Sequence, residues 1–159
     1  MFKQTKMIIG VLVGGLLMAA SVGAHHSFTQ FDQETELVTT ATIVRWEFNN
    51  PHSWLRVNIE DEDGNTTLFS FEGSGPTSLI QRGITGATFE PGDTITLMYC
   101  PMVDGRNGGH LGWAELGDGT LINPSDGGCN GNDANIERWK RWLEQGFTSN
   151  KEAEAAGAE

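Results

Sequence analysis

An all-β fold is what this sequence predicts, built as a small five-stranded barrel with one short helix between the third and fourth strands and a second helix near the C-terminus. Three observations carry the prediction. Five segments alternate apolar and polar side chains at the two-residue period of a half-buried strand, and they are rich in Val, Thr, Ile and Phe. Clusters of Asp, Asn, Gly and Pro separate them, the residues that tolerate the backbone of tight turns. Only two segments, 77–82 and 133–146, carry helical signals.

The first strand spans residues 37–48, with Val38, Thr40, Thr42, Val44, Trp46 and Phe48 expected on one face. Asn49-Asn50-Pro51-His52 interrupts it. A second strand follows over 53–60, setting Leu55, Val57 and Ile59 against Trp54, Arg56 and Asn58. Asp61 to Asn65 reads as a hairpin turn, and Phe69 and Phe71 mark the third strand over 66–72. Gly73-Ser74-Gly75-Pro76 stops the sheet. The short helix over 77–82 takes Thr77 as its N-cap and Gly83 as its stop. Pro91-Gly92-Asp93 launches the fourth strand, 94–100, in which Ile95, Leu97 and Tyr99 share a face. A glycine-rich loop over 104–109 leads to the fifth strand at 110–116, and 120–122 adds a short final strand.

Three strands, a helix and two strands is the element order of the oligonucleotide/oligosaccharide-binding (OB) fold. An open β-sandwich of the same strands is the alternative. The barrel domain is expected over 25–132. In the helix at 133–146, Ile136, Trp139 and Leu143 recur at helical spacing, and the helix is expected to pack Trp139 on the barrel. Residues 147–159 are polar, acidic and Ala-rich, and read as a disordered tail.

Residues 1–24 read as a cleavable signal peptide. Lys3 and Lys6 precede 14 residues, Met7 to Ala20, without charge, too few to span a bilayer comfortably. Val22 and Ala24 then offer the small side chains that signal peptidase reads. The alternative is an uncleaved N-terminal anchor. Cleavage would start the protein at His25, leave no membrane anchor and place it in the periplasm, with 8 basic residues against 21 acidic. Such an acidic chain repels phosphate backbones, which disfavours nucleic acid as a partner.

In an oxidising compartment Cys100 and Cys129 are expected to form a disulfide. Two free thiols, or a single soft metal ligand, is the alternative. Met98, Cys100 and Met102 alternate along one strand and resemble a soft cuprous site, but Pro101 and the second cysteine favour core packing with a disulfide.

All four histidines fall after the predicted cleavage point. His25 and His26 form the new N-terminus, while His52 and His110 sit on the two loops that flank the ligand face of an OB barrel. An N-terminal His chelates copper through its α-amine and its ring, and imidazole suits copper, nickel or zinc. These four residues are therefore the candidate metal ligands, with copper the candidate ion. The bland reading stands beside it: a mobile end, a turn histidine and an exposed strand histidine. Trp54 and Trp113, with Trp46, either line a groove or fill the core, and Glu72 is either a site residue or a solvated strand-end carboxylate. No nucleophile elbow, metalloprotease helix, phosphate loop or dinucleotide fingerprint occurs, which lowers an enzyme reading without excluding one.

His25-His26-Ser27, Asn50-Pro51-His52-x-Trp54, Asp61 to Gly64, Phe71-Glu72, Leu79 to Gly83, Pro91-Gly92-Asp93 and Asp104-Gly105 together resemble a family of small exported proteins of Gram-negative bacteria, catalogued as a domain of unknown function. The likeness covers about residues 24–122. The resemblance implies a periplasmic small β-barrel and no known activity.

Three functions fit these residues. The first is a non-catalytic periplasmic binding module, taking copper through the four histidines. The second is an accessory protein docking on an exported partner through the barrel groove and the C-terminal helix. The third is a copper oxidoreductase, which needs an open coordination position.

Overall fold

The computed structural model describes residues 28–125 and 127–158, so the expected signal peptide, His25 and His26 lie outside the described residues. The chain divides after Gln30, and the unit from Phe31 onward holds all of the described strands and helices. No helix among the described residues is long and apolar enough to cross a membrane.

The described residues form six strands: β1 (Leu37–Glu47), β2 (Ser53–Glu60), β3 (Thr66–Gly73), β4 (Thr94–Pro101), β5 (Gly108–Glu115) and β6 (Leu121–Ile122). They run in the order β3-β2-β1-β4-β5-β6, and a parallel pairing of β3 with β5 closes the first five into a barrel. Helix α1 (Pro76–Gln81) joins β3 to β4, as the OB order requires. Its N-cap is Gly75, two residues earlier than the expected Thr77, because Pro at the first helical position needs no amide partner.

The closure depends on two glycines. A Cβ on Gly108 would collide with the carbonyl of Ser70 on β3, and one on Gly109 with the carbonyl of Cys100 on β4. Only a bare backbone lets β5 enter between these neighbours.

Two cores result, one on each side of the barrel wall. Inside lie Leu55 and Val57 of β2, Phe71 of β3, Leu97 and Tyr99 of β4 and Leu111 of β5, with Leu79 of α1 filling from one end. The alternation expected for β2, β3 and β4 is the one observed. In β1 it is not, because the register slips between Ile43 and Arg45. This bulge leaves Val44 exposed and turns Trp46 to the same side as Ala41 and Ile43, where its indole N–H donates to the carbonyl of Thr85 at 3.0 Å. A period of two read straight through residue 44 therefore places Trp46 on the wrong face.

The second core lies outside the wall, under helix α2 (Asp133–Glu144). Ile136, Trp139 and Trp142 cover Val38 of β1, Met98 and Cys100 of β4 and Trp113 of β5. Asn132 caps the helix, its side chain accepting from the Asn135 amide at 3.0 Å. The expected disulfide is present, and Cys100–Cys129 ties β4 to the loop that leads into α2.

Residues 147–158 differ from the disordered tail expected. The Thr148 carbonyl accepts from the Val38 amide at 2.8 Å, and Ser149 pairs with Leu37 as an isolated bridge. Helix α3 (Asn150–Ala155) follows and buries Ala153 completely. Asn150 anchors it by accepting from the Glu36 amide at 2.9 Å while donating to the Glu34 carbonyl at 3.0 Å. Composition averages over a segment and cannot register one asparagine that mimics a strand partner and one alanine small enough to dock.

Glu36 joins these parts. It is 2% exposed, and its carboxylate accepts from Trp139 Nε1 at 2.6 Å and from Asn135 Nδ2 at 3.0 Å. Asn130 and Arg138 also donate to it. A buried carboxylate survives only with such donors around it, so this one fixes the entry to β1, the 123–132 loop and α2 to one another.

Candidate functional site

One row of residues crosses the outer barrel face from strand to strand. Glu47 of β1 is register-matched to Trp54 of β2, Trp54 to Glu72 of β3, and Glu72 to His110 of β5. Because Leu55, Phe71 and Leu111 fill the interior, their neighbours Trp54, Glu72 and His110 stand on the outside. His52 precedes β2 on the β1–β2 connection, and its Nδ1 forms an ion-pair contact with Glu72 Oε1.

An outward strand position normally leaves a carboxylate or imidazole in water. Here Glu72 is 6% exposed and His110 is 1% exposed. Phe31 stacks on His110, ring centroids 5.2 Å apart and planes 21° from parallel. Phe31 is itself held as a bridge partner of Met102, and the Asp32 amide donates to the Pro101 carbonyl at 2.8 Å. Phe31 and Asp32 are thus fastened beside His110 and the end of β4. The solvated reading of Glu72 and the exposed-strand reading of His110 both give way to burial.

A polar cluster continues the face beside this row. Arg56 lies 5.6 Å from the centroid of the Trp54 ring, pairs with Glu47 at 3.4 Å and donates to the Ser70 hydroxyl. Arg56 is the main reason that the Glu47 carboxyl is held below its ordinary range, with Arg45 adding to the effect. Arg56 is thereby engaged on three sides, which orders this part of the surface.

The structure brings His52, Glu72 and His110 to one end of the barrel face, with Trp54 in the same cross-strand row. Trp113 lies elsewhere: it is buried in the outer core against α2 and lines no groove on this face. The register slip between Met98 and Tyr99 makes Gly112 the extra residue in β5, and this turns Trp113 outward beneath the helix. Met98 is buried with its sulfur 3.7 Å from that of Cys129, and Cys100 is consumed by the disulfide. The alternation of Met98, Cys100 and Met102 therefore supplies no open soft site. Trp139 and Trp142 of α2 are likewise spent on the protein's own outer core.

Among the described residues no three His, Cys, Asp or Glu side chains gather closely enough to hold a metal ion. The arrangement offers two imidazoles of borderline softness beside a buried carboxylate, the donor types that copper, nickel or zinc accept. Phe31 and Arg56 belong to this face without any local signal in the sequence. The Gly108-Gly109 pair before His110 did carry one, since paired glycines within a strand mark a close backbone approach.

No curated protein and no solved structure matches the chain. The sequence profile of a family of unknown function, DUF6152, matches residues 15–111, a stretch that takes in all four histidines, Glu72 and strands β1 to β4, and ends within β5. Cys129, the end of β5, β6 and helices α2 and α3 fall beyond that stretch, while β1 to β4 with His52, Glu72 and His110 fall within it: the chain belongs to the DUF6152 family.

Proposed function

We propose that this protein is an exported, non-catalytic metal-binding barrel, which takes copper through His25, His26, His52 and His110 in the periplasm. The observation that carries the reading is the placement of His52 and His110 on either side of the buried Glu72, at one end of the outer barrel face. Burying a carboxylate and an imidazole on a surface that could have stayed wet costs free energy, and such a cost is characteristic of binding sites.

Chain geometry supports the N-terminal half of the set. His26 lies five residues before Phe31, and His25 six. An extended chain covers at most about 3.5 Å per residue, so the α-amine of a processed protein is confined to within about 21 Å of Phe31. Phe31, to which this short length of sequence leads, stacks on His110. The described residues alone lack a third ligand, so the reading requires His25 or His26.

The test is titration of Cu(II) into correctly processed protein and into a form carrying one extra N-terminal residue. The reading expects the extension to weaken binding, because it moves the α-amine away from the first imidazole. Equal affinities for the two forms would remove the N-terminal ligands and the proposal with them.

A further inference from the structure

We infer that Glu72 is a positioning residue, which holds the proton of His52 on Nδ1 and leaves Nε2 of His52 as the bare nitrogen available to a ligand. The inference deepens the metal reading above and rests on it for its functional meaning, although the tautomer itself is decided without metal.

A neutral imidazole carries one N–H and one bare nitrogen, and the group bonded to one of them decides which is which. The Nδ1 atom of His52 is shielded from solvent, and the Glu72 carboxylate lies against it as an ion-pair contact outside regular hydrogen-bond alignment. An ionised carboxylate only accepts, so the nitrogen facing it is the protonated one. The His52 side chain nevertheless keeps 28% of its surface exposed. With Nδ1 covered, that exposure belongs to the other atoms of the side chain, which include Nε2.

Glu72 is well placed to enforce this. Its strand is paired on both sides at that residue, antiparallel to Trp54 and parallel to His110, so the backbone beneath the carboxylate is fixed by two ladders. The Ser53 amide also donates to the Ser74 carbonyl at 3.2 Å, extending the β2–β3 pairing past Glu72 at the end where His52 enters. Carboxylates that hold the far nitrogen of a ligating histidine set the ring's orientation and raise its basicity, and their loss typically weakens metal binding by roughly 10- to 100-fold.

The experiment is nitrogen-15 NMR of the His52 ring in metal-free protein, recorded where the imidazole is neutral, for the native chain, Glu72→Gln and Glu72→Ala. The native protein should show Nδ1–H with Nε2 bare. Glu72→Gln should keep that tautomer, because an amide oxygen also accepts, while Glu72→Ala should relax toward a mixture. A native His52 protonated on Nε2 would overturn the inference, as would a tautomer unchanged in Glu72→Ala. Copper titration of the same three proteins reads the metal reading separately, with an expected loss of about 10-fold or more for Glu72→Ala. The Nδ1–H tautomer with no copper bound would leave the positioning intact and sink the copper reading alone.

Discussion

Glu72 on β3 and His110 on β5 are register partners across the only parallel pairing among the described strands, so the seam that closes the barrel also brings together two buried polar residues of its outer face. Closure of the fold and construction of the site are one event. A change that loosens the seam should disturb both.

Gly108 is the place to test this. It adopts φ 148, and a Cβ there would strike the Ser70 carbonyl. Gly108→Ala should destabilise the protein by about 3 kcal/mol or more, in the range of backbone clashes at closely packed positions. Urea denaturation measures the loss. Gly105, at φ 76 with open space where a Cβ would stand, is the control, and Gly105→Ala should cost about 1 kcal/mol.

Glu36 holds the outer layer to the barrel, and its removal should be felt there first. Glu36→Ala leaves Trp139 Nε1, the Asn135 amide group and Arg138 without their shared acceptor. Breaking a buried charged network by removing one partner typically costs about 3–5 kcal/mol. Hydrogen exchange should show residues 133–144 losing protection before the barrel strands do.

The disulfide makes a parallel prediction. Cys100 and Cys129 are 29 residues apart, and a bridge closing a loop of that size stabilises by roughly 3 kcal/mol on the chain-entropy account. Replacing both with Ser should lower the thermal midpoint measurably. The inner core, which lies on the other side of the wall, should remain assembled.

Two carboxyls link the fold to acid. The Thr35 hydroxyl chiefly lowers the Asp32 carboxyl, with Lys151 contributing, and Arg56 chiefly lowers that of Glu47. A carboxyl depressed in the folded state adds stability above its unfolded pKa, and that contribution fades as pH falls through the folded pKa. Both groups are partly exposed, and solvent screening keeps the effect small. In Arg56→Gln, NMR titration should find the Glu47 carboxyl moved up toward its ordinary range, and the acid dependence of stability should weaken.

Much of the barrel was legible because strand alternation and turn chemistry are local. Leu55 and Val57, Phe71, and Leu97 and Tyr99 all point where a period of two sends them. Trp46 and Trp113 do not, since each follows a register slip, at Val44 and at Gly112, and a slip depends on the neighbouring strand. His52 and His110 were legible as site candidates through the loops that OB topology assigns to the ligand face. The role of Glu72 was half legible: its place in the chain suggested a site residue, but its burial comes from packing around β3 and β5. Glu36 left no local trace at all. The partners of its carboxylate lie 94 to 103 residues away in sequence, and a single acidic residue before a strand looks like any other.

The central claim, that barrel histidines and the processed N-terminus share one copper ion, is tested most directly by isothermal titration of Cu(II) into mature protein and into its His52→Ala, His110→Ala double variant. Both carry the same His25-His26 terminus, so a terminus that chelates on its own binds equally in each. The account predicts that the double variant binds about 100-fold more weakly, a difference of about 2.7 kcal/mol for the loss of two nitrogen ligands. Identical affinities in the two proteins would contradict it.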